Sequence, residues 1–442
     1  MNLRNDYCGP FDPQLMLADF SRDFLSRLAH EFNLIGHLYD RVGQPLVALE
    51  YGADGFTRSG IEEWQGASPV YSPRMQQALN FTGDTVETVF KNIQLEVGAP
   101  QQFMDFQFRL DEPDYGEFWL AHCGALMDLE RNGNDTDLIK RMCHDIEDPT
   151  FDATAAATHP RIVMRPLHRP PRNDSAIGNG AQRYPHCRWK VFKGEDNSTF
   201  EHTPVMYELQ RSLLAQVPLV TQEAIVEAGG LEDYSGPFDP QLQFEDFSQR
   251  ALQLIIQENA VQALLLAHSF TRSQTIHYGD AVGRRLSERS WVGHARVAVE
   301  RLRRIPGLQG DDINTMAKLF QLHPHFYPRS YVDLRVEITG PASLRIGIGD
   351  CPALHEDIAH NWFSQLCAEP HPALESLAAH VNPRARCHRV DDPGEARLAW
   401  EIRVDERNEP LREPLEMQLA RTSGGIEFEF ERRRLPGLIA RG

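Results

Sequence analysis

Apolar residues recur at three- and four-residue steps from Phe24 through Leu28, Phe32 and Ile35 to Leu38, the spacing of one buried helix face. The pattern returns at Leu252, Ile255, Ala263, Leu266 and Phe270. The spacing predicts one helix starting near Asp19 to Ser21 and another from Asp246 to about Arg272. What precedes them is nearly the same text: Asp6 to Phe24, DYCGPFDPQLMLADFSRDF, reappears as DYSGPFDPQLQFEDFSQRA at Asp233 to Ala251, with twelve of nineteen positions identical. The chain therefore reads as a tandem duplication, residues 1–229 and 230–442, with the boundary near Glu227 to Gly230.

Later segments keep the correspondence. Lys91, Gln94 and Leu95 match Lys318, Gln321 and Leu322, and FTRS occurs at Phe56 to Ser59 and at Phe270 to Ser273. In the second half, Asp280 to Arg304 and Asp312 to Leu322 read as helices, whereas Gly66, Pro69 and Pro73 predict a more broken stretch in the first. Alternating patterns then predict strands at 103–110, 117–121, 161–166 and 187–192, and at 331–338, 344–348, 384–390 and 397–404. Closing helices are expected at 204–214 and 414–421, and a polar insertion at 169–186. Each half is thus an α+β unit, a small antiparallel sheet covered by helices. By analogy with duplicated homodimers, a pseudo-twofold axis is expected to relate the two. The shared GPFDP turn reads as a strap over the core.

Composition narrows the functional classes. With 41% hydrophobic and 24% charged residues, the 442-residue chain is globular in character. A formal charge of -18 argues against a nucleic-acid partner, which calls for a basic face. The start lacks a signal-like apolar stretch and no apolar run suits a membrane span, so the expectation is a cytoplasmic protein with no membrane partner. A homo-oligomer is left open.

The seven cysteines carry the candidate chemistry. Aligning the halves pairs Cys123 with Cys351 and Cys143 with Cys367. Cys187, two residues before Trp189, faces Leu398 before Trp400, and Cys387 faces Met164. Three readings stand side by side: small buried residues; a zinc or iron site built from Cys123, Cys143 and Cys187 or from Cys351, Cys367 and Cys387; or a thiolate activated at a strand-to-helix corner. Asp128 and Glu356, five residues beyond Cys123 and Cys351, read as acids complementing a helix dipole. Arg58 with Arg272, and Arg161 with Arg384, are candidate carboxylate forks or structural ion pairs.

Taken in order, the helix start at Glu245 to Ser248, Trp291, Arg296, CPAL at Cys351 to Leu354, NPRARC at Asn382 to Cys387 and AWEI at Ala399 to Ile402 resemble an aminothiazoline carboxylate hydrolase-like family. The likeness covers most of residues 240–405 and, more loosely, 15–192. It implies small α+β domains with cysteines on these strands and ring-opening hydrolysis of a cyclic thiazoline acid. A looser resemblance is to four-vinyl-reductase-type sensor domains, which bind small aromatic effectors. The expectation is a hydrolase- or lyase-like enzyme acting on a small carboxylated metabolite. Cys351 or a metal held by Cys351, Cys367 and Cys387 would sit at the reacting centre, His355 or His360 would move protons, and Arg384 and Arg272 would bind substrate. The alternative is a non-catalytic binding protein with a ligand cavity between the repeats.

Overall fold

The computed structural model describes residues 3–133, 135–171, 186–197, 199–221, 227–368 and 372–427, the side chains of Cys367 and Ala368 excepted. The first module runs α1 (Arg22–Ala78), α2 (Val86–Ile93), β1 (Met104–Glu112), β2 (Tyr115–Cys123), α3 (Gly124–Arg131), α4 (Thr136–Lys140), a π turn (Arg141–Ile146), α5 (Glu147–Ala156), β3 (Ile162–His168), β4 (Arg188–Lys193), α6 (Pro204–Gln210) and α7 (Leu213–Gln216). The second runs α8 (Gln249–Tyr278), α9 (Asp280–Leu302), α10 (Ile313–Leu322), β5 (Leu334–Gly340), β6 (Ser343–Ile348), α11 (Trp362–Ala368), α12 (Pro372–Val381), β7 (Ala385–Arg389), β8 (Leu398–Val404) and α13 (Leu415–Ala420).

Local chemistry explains the shared starts. Ser21 and Ser248 accept hydrogen bonds from the backbone N–H groups of Phe24 and Ala251, satisfying donors a helix start leaves orphaned. Each long helix then turns at a glycine in the left-handed region, Gly52 at φ 71° and Gly279 at φ 86°. Gly279 minus Gly52, like Lys318 minus Lys91, is 227 positions. The first half is therefore not broken at Gly66, Pro69 and Pro73, contrary to expectation. All three lie inside α1. Gly66 is a contact glycine, since a Cβ there would meet the Ser269 hydroxyl of α8 at 2.2 Å. Packing along α8 overrides the helix-breaking tendency of the prolines.

That register also corrects the FTRS pairing. Arg272 minus Arg58 is 214, so the two tetrapeptides fall on different parts of the repeat, one beyond the Gly52 bend and one before Gly279.

Each module holds a four-stranded antiparallel sheet, in the orders β1-β2-β4-β3 and β5-β6-β8-β7. Phe118 pairs with Trp189 as Ile346 pairs with Trp400, and Met164 with Val191 as Cys387 with Ile402. The expected correspondences of Cys187 with Leu398, and of Met164 with Cys387, therefore hold in register. Residues 172–185 of the expected insertion lie outside the described residues. Among the described residues, no helix is long and apolar enough to cross a membrane.

The modules embrace each other. Tyr7 of the first strap bonds Gln321, and the Lys318 ammonium reaches the Tyr7 and Gly9 carbonyls at 2.6 and 2.7 Å. Reciprocally, Tyr234 donates to Gln94 at 2.8 Å, and Lys91 reaches the Tyr234 and Gly236 carbonyls at 3.3 and 2.6 Å. Deeper in, Arg301 forks onto Glu31 at 2.6 and 2.8 Å, and Arg74 forks onto Glu258 at 3.0 Å. The remaining guanidinium donors hold carbonyls of the closing segments, Ile426 for Arg301, and Ala215 and Val217 for Arg74. Asp128 accepts from Gly424 and Ser423, whereas Glu356 accepts from the Leu213 and Leu214 N–H groups. These acids tie down the opposite module's last segment, a longer-range role than the dipole partnership expected of them.

Candidate functional site

Among the described residues, several of those expected to form a site in the second module are engaged by other partners. Cys351 is buried beyond β6 at the start of a short 3-10 turn, and burial raises its thiol pKa. His355 is exposed on Asp350, with Nε2 2.8 Å from Oδ1. His360 reaches the first residue of α9, Asp280, at 2.5 Å. Arg384 clamps the backbone carbonyls of Glu406 and Asn408, and Arg272 forks onto Glu208 at 2.6 and 3.2 Å. Arg58 donates to the Tyr278 hydroxyl at 2.6 Å, and Arg161 to the Glu195 carbonyl at 2.9 Å. These guanidinium groups thus serve the fold. Cys387, on β7, has its thiol raised by burial and by Glu375. Cys367 lies on α11, but its side chain is outside the described residues.

The first module brings its cysteines together. Cys123, Cys143 and Cys187 are close enough that charge on one raises another, with Glu147 adding to the effect. Cys123 caps α3 by accepting from Leu126 N–H at 3.4 Å, the corner geometry expected to yield a thiolate. Burial wins instead and pushes its pKa up to about 12, so the sulfur is a neutral thiol near pH 7. Among the described residues, no group of three or more His, Cys, Asp or Glu side chains is placed to hold a metal ion. The donor sets expected for zinc or iron do not assemble among them.

A different constellation stands out: a cavity of about 140 Å³ between α1 and the first-module sheet. Its walls are apolar and aromatic, from Phe56 and Trp64 on α1, Phe106 and Phe118 on the sheet, Phe151 on α5 and Met142 on the π turn. Polar groups enter from three directions. Helix α1 supplies His37, Asp40, Arg41 and Gln44, spaced to share one helix face. The chain after α2 supplies Glu96, and the first residue of α5, directly behind the π turn, supplies Glu147.

The electrostatics of this cavity are unusual. Arg41 Nε lies 3.3 Å from Asp40, and one of its Nη atoms donates to His37 Nε2 at 3.2 Å. Burial, with Arg41 beside it, holds His37 neutral. Gln44 donates to Glu63 at 2.5 Å but leaves its own carbonyl oxygen without a partner. Burial and the nearby Asp40 raise Glu63 well above the ordinary carboxyl range. Glu96 accepts from Asn92 at 2.6 Å and from Ser72 at 3.4 Å, yet burial lifts it to about 8. Glu147 is also raised to about 8, chiefly by burial, and its Oε2 is shielded from solvent without a hydrogen-bond partner. Perturbed carboxyls converging on an aromatic cavity mark a candidate functional site.

The second module fills the corresponding space. At the 227 offset, Gly98 and Ala99 become His325 and Phe326, and Trp64 becomes Trp291. There the Trp291 ring lies 4.7 Å from His325 and 5.5 Å from Trp362, with Phe326 5.3 Å from Trp362. The polar set is replaced too: His37 by Leu264, Asp40 by Ala267, Glu63 by Ser290 and Glu96 by His323. The run His37, Asp40, Arg41 and Gln44 on a predicted buried helix face was the available signal in the sequence.

No family model matches this chain, and no curated protein or solved structure matches it. The resemblance to an aminothiazoline carboxylate hydrolase-like family rests on its motif residues alone.

Proposed function

We propose that this protein binds a small molecule in the first-module cavity, with the second module acting as its structural partner. The carrying observation is the aromatic-walled cavity lined in part by Gln44 and Glu147, each with an unpartnered buried oxygen. Its size suits one ring, since apolar cavities of about 150 Å³ accept benzene. This reading moves the ligand from the repeat interface into a single module, and from Cys351 to Glu147. The reciprocal straps and ion pairs support a twofold relation between the modules, with one of the two sites since plugged.

A catalytic role has one specific observation in its favour. Glu96 and Glu147, both raised to about 8, could exchange protons near neutral pH, as a general acid or base must. The neutral thiols near Glu147 favour proton transfer over nucleophilic sulfur chemistry.

The test is a fragment screen by ligand-observed NMR with single-ring neutral, cationic and anionic compounds, against wild type and Ala99→Phe, which imports the second module's residue. Fragments that bind wild type should be lost from Ala99→Phe, and from Met164→Phe as an independent filling. Fragment binding undiminished in both folded variants defeats the proposal.

A further inference from the structure

The cavity's charge balance points to the ligand's chemistry, and this step rests on the cavity reading above. Arg41 is held by Asp40 and His37, so its charge is already engaged on α1. Glu63 lies behind Gln44, and Glu96 is held by Asn92 and Ser72. Glu147 has no hydrogen-bond partner for its Oε2. The charge of Arg169 acts on it against the larger effect of burial, but that guanidinium is bound bidentately to Asp148 and lies over the Trp189 ring at 5.5 Å. The sulfur groups facing Glu147 are the neutral thiols Cys123, Cys143 and Cys187. The lining therefore includes Gln44, whose buried carbonyl oxygen has no partner, and Glu147, whose buried Oε2 has none and becomes a second acceptor once the carboxyl ionises, among aromatic walls. Aromatic faces attract cations, and an acceptor-rich enclosure disfavours a carboxylate.

We infer that the ligand carries a cationic nitrogen, an ammonium or amidinium, on a body about the size of one ring, with Glu147 as its counter-ion and Gln44 as a second acceptor. In the empty cavity Glu147 holds its proton at neutral pH, because burial raises it to about 8. A bound cation favours the carboxylate, so the acid proton leaves to solvent as the cation enters. Binding and proton release are coupled. The other groups that set this balance are Asp40, Arg41, His37 and Glu63 from α1, Glu96 beyond α2, the three thiols, and the Asp148–Arg169 pair.

The probes are benzylamine and benzamidine, with benzyl alcohol and benzoate as neutral and anionic counterparts of similar shape. Calorimetry on the full chain at pH 7, in phosphate and in Tris, reads affinity and proton release together. The cations should bind at least about tenfold tighter than benzyl alcohol, the step expected for one charge-assisted contact, and benzoate should not bind. Apparent binding enthalpy for the cations should differ between the two buffers. Glu147→Gln should remove the preference of the cations over benzyl alcohol, and Glu406→Gln, an exposed carboxylate of the second module outside the cavity, should retain it. Benzyl alcohol binding as tightly as the amines would overturn the cationic ligand and leave the cavity reading intact. A preference that persists in Glu147→Gln, or is lost in Glu406→Gln, would overturn Glu147 as counter-ion. Absence of binding by all four probes would overturn both readings.

Discussion

The same position between helix and sheet is hollow in one module and solid in the other. Where Gly98 and Ala99 leave room beside Trp64, His325 and Phe326 fill it beside Trp291, and Trp362 completes the plug. Around the hollow the buried groups are His37, Glu63 and Glu96, while the solid copy has Leu264, Ser290 and His323. One module is packed with apolar and aromatic side chains at this place, while the other carries buried polar groups. Buried carboxyls held neutral by desolvation cost folding energy, and a fully packed partner module offsets that cost.

The largest effect should come from opening the solid side. Trp362→Ala removes a fully buried ring and should cost about 3–5 kcal/mol in denaturant unfolding. Arg301→Leu leaves Glu31 as an uncompensated buried acid and should cost a similar amount, about 3–5 kcal/mol. Both halves should lose structure together, because this fork crosses between modules. Near-UV and far-UV circular dichroism transitions that separate would contradict that.

Closing the hollow side should cost less. Ala99→Phe should change stability by no more than about 1–3 kcal/mol, the usual range for added core volume, while removing fragment binding. A smaller effect concerns pH. Glu96 and Glu147 sit near 8 when folded against an ordinary 4.5, so the folded chain keeps protons that the unfolded chain has lost between those values. Their stabilising contribution is complete below pH 4.5 and declines as pH rises toward 8. Urea unfolding at pH 5 and pH 8 should show that decline, and Glu96→Gln should flatten it. The smallest effect belongs to His355→Ala, an exposed side chain whose loss should move stability within about 0.5 kcal/mol and leave fragment binding untouched.

Much of the architecture was legible because hydrophobic periodicity and the repeat agreed. The two long helices, four strands per half and the closing helices all appear, and Trp189 and Trp400 fix the strand correspondence as expected. Two local signals misled. Pro69 and Pro73 looked like breakers because a single chain does not show the neighbouring α8 that holds their helix. FTRS looked like an alignment anchor, although four matching letters weigh little against a register fixed by Gly52, Lys91 and Gln94.

The expected site drew on residues shared by both copies, the cysteines and arginines. Other shared residues, Tyr7 and Tyr234, Lys91 and Lys318, and Gln94 and Gln321, hold the modules to each other. Those shared residues support the contact, whereas polar groups that line the cavity, His37, Asp40 and Glu96, have no like counterpart in the second copy. The polar run His37, Asp40, Arg41 and Gln44 was visible on a helix otherwise expected to be buried. Its meaning depended on Gly98 and Ala99 being small at the same place, a conjunction that only the folded chain supplies.

The crossed straps have a topological consequence. Since each half wears the other's opening and closing segments, a protease cut at the joint near Gly229 would leave two polypeptides still clasped by Arg74, Arg301 and both lysines. Such a nicked molecule should migrate as one particle on a sizing column and separate only in denaturant.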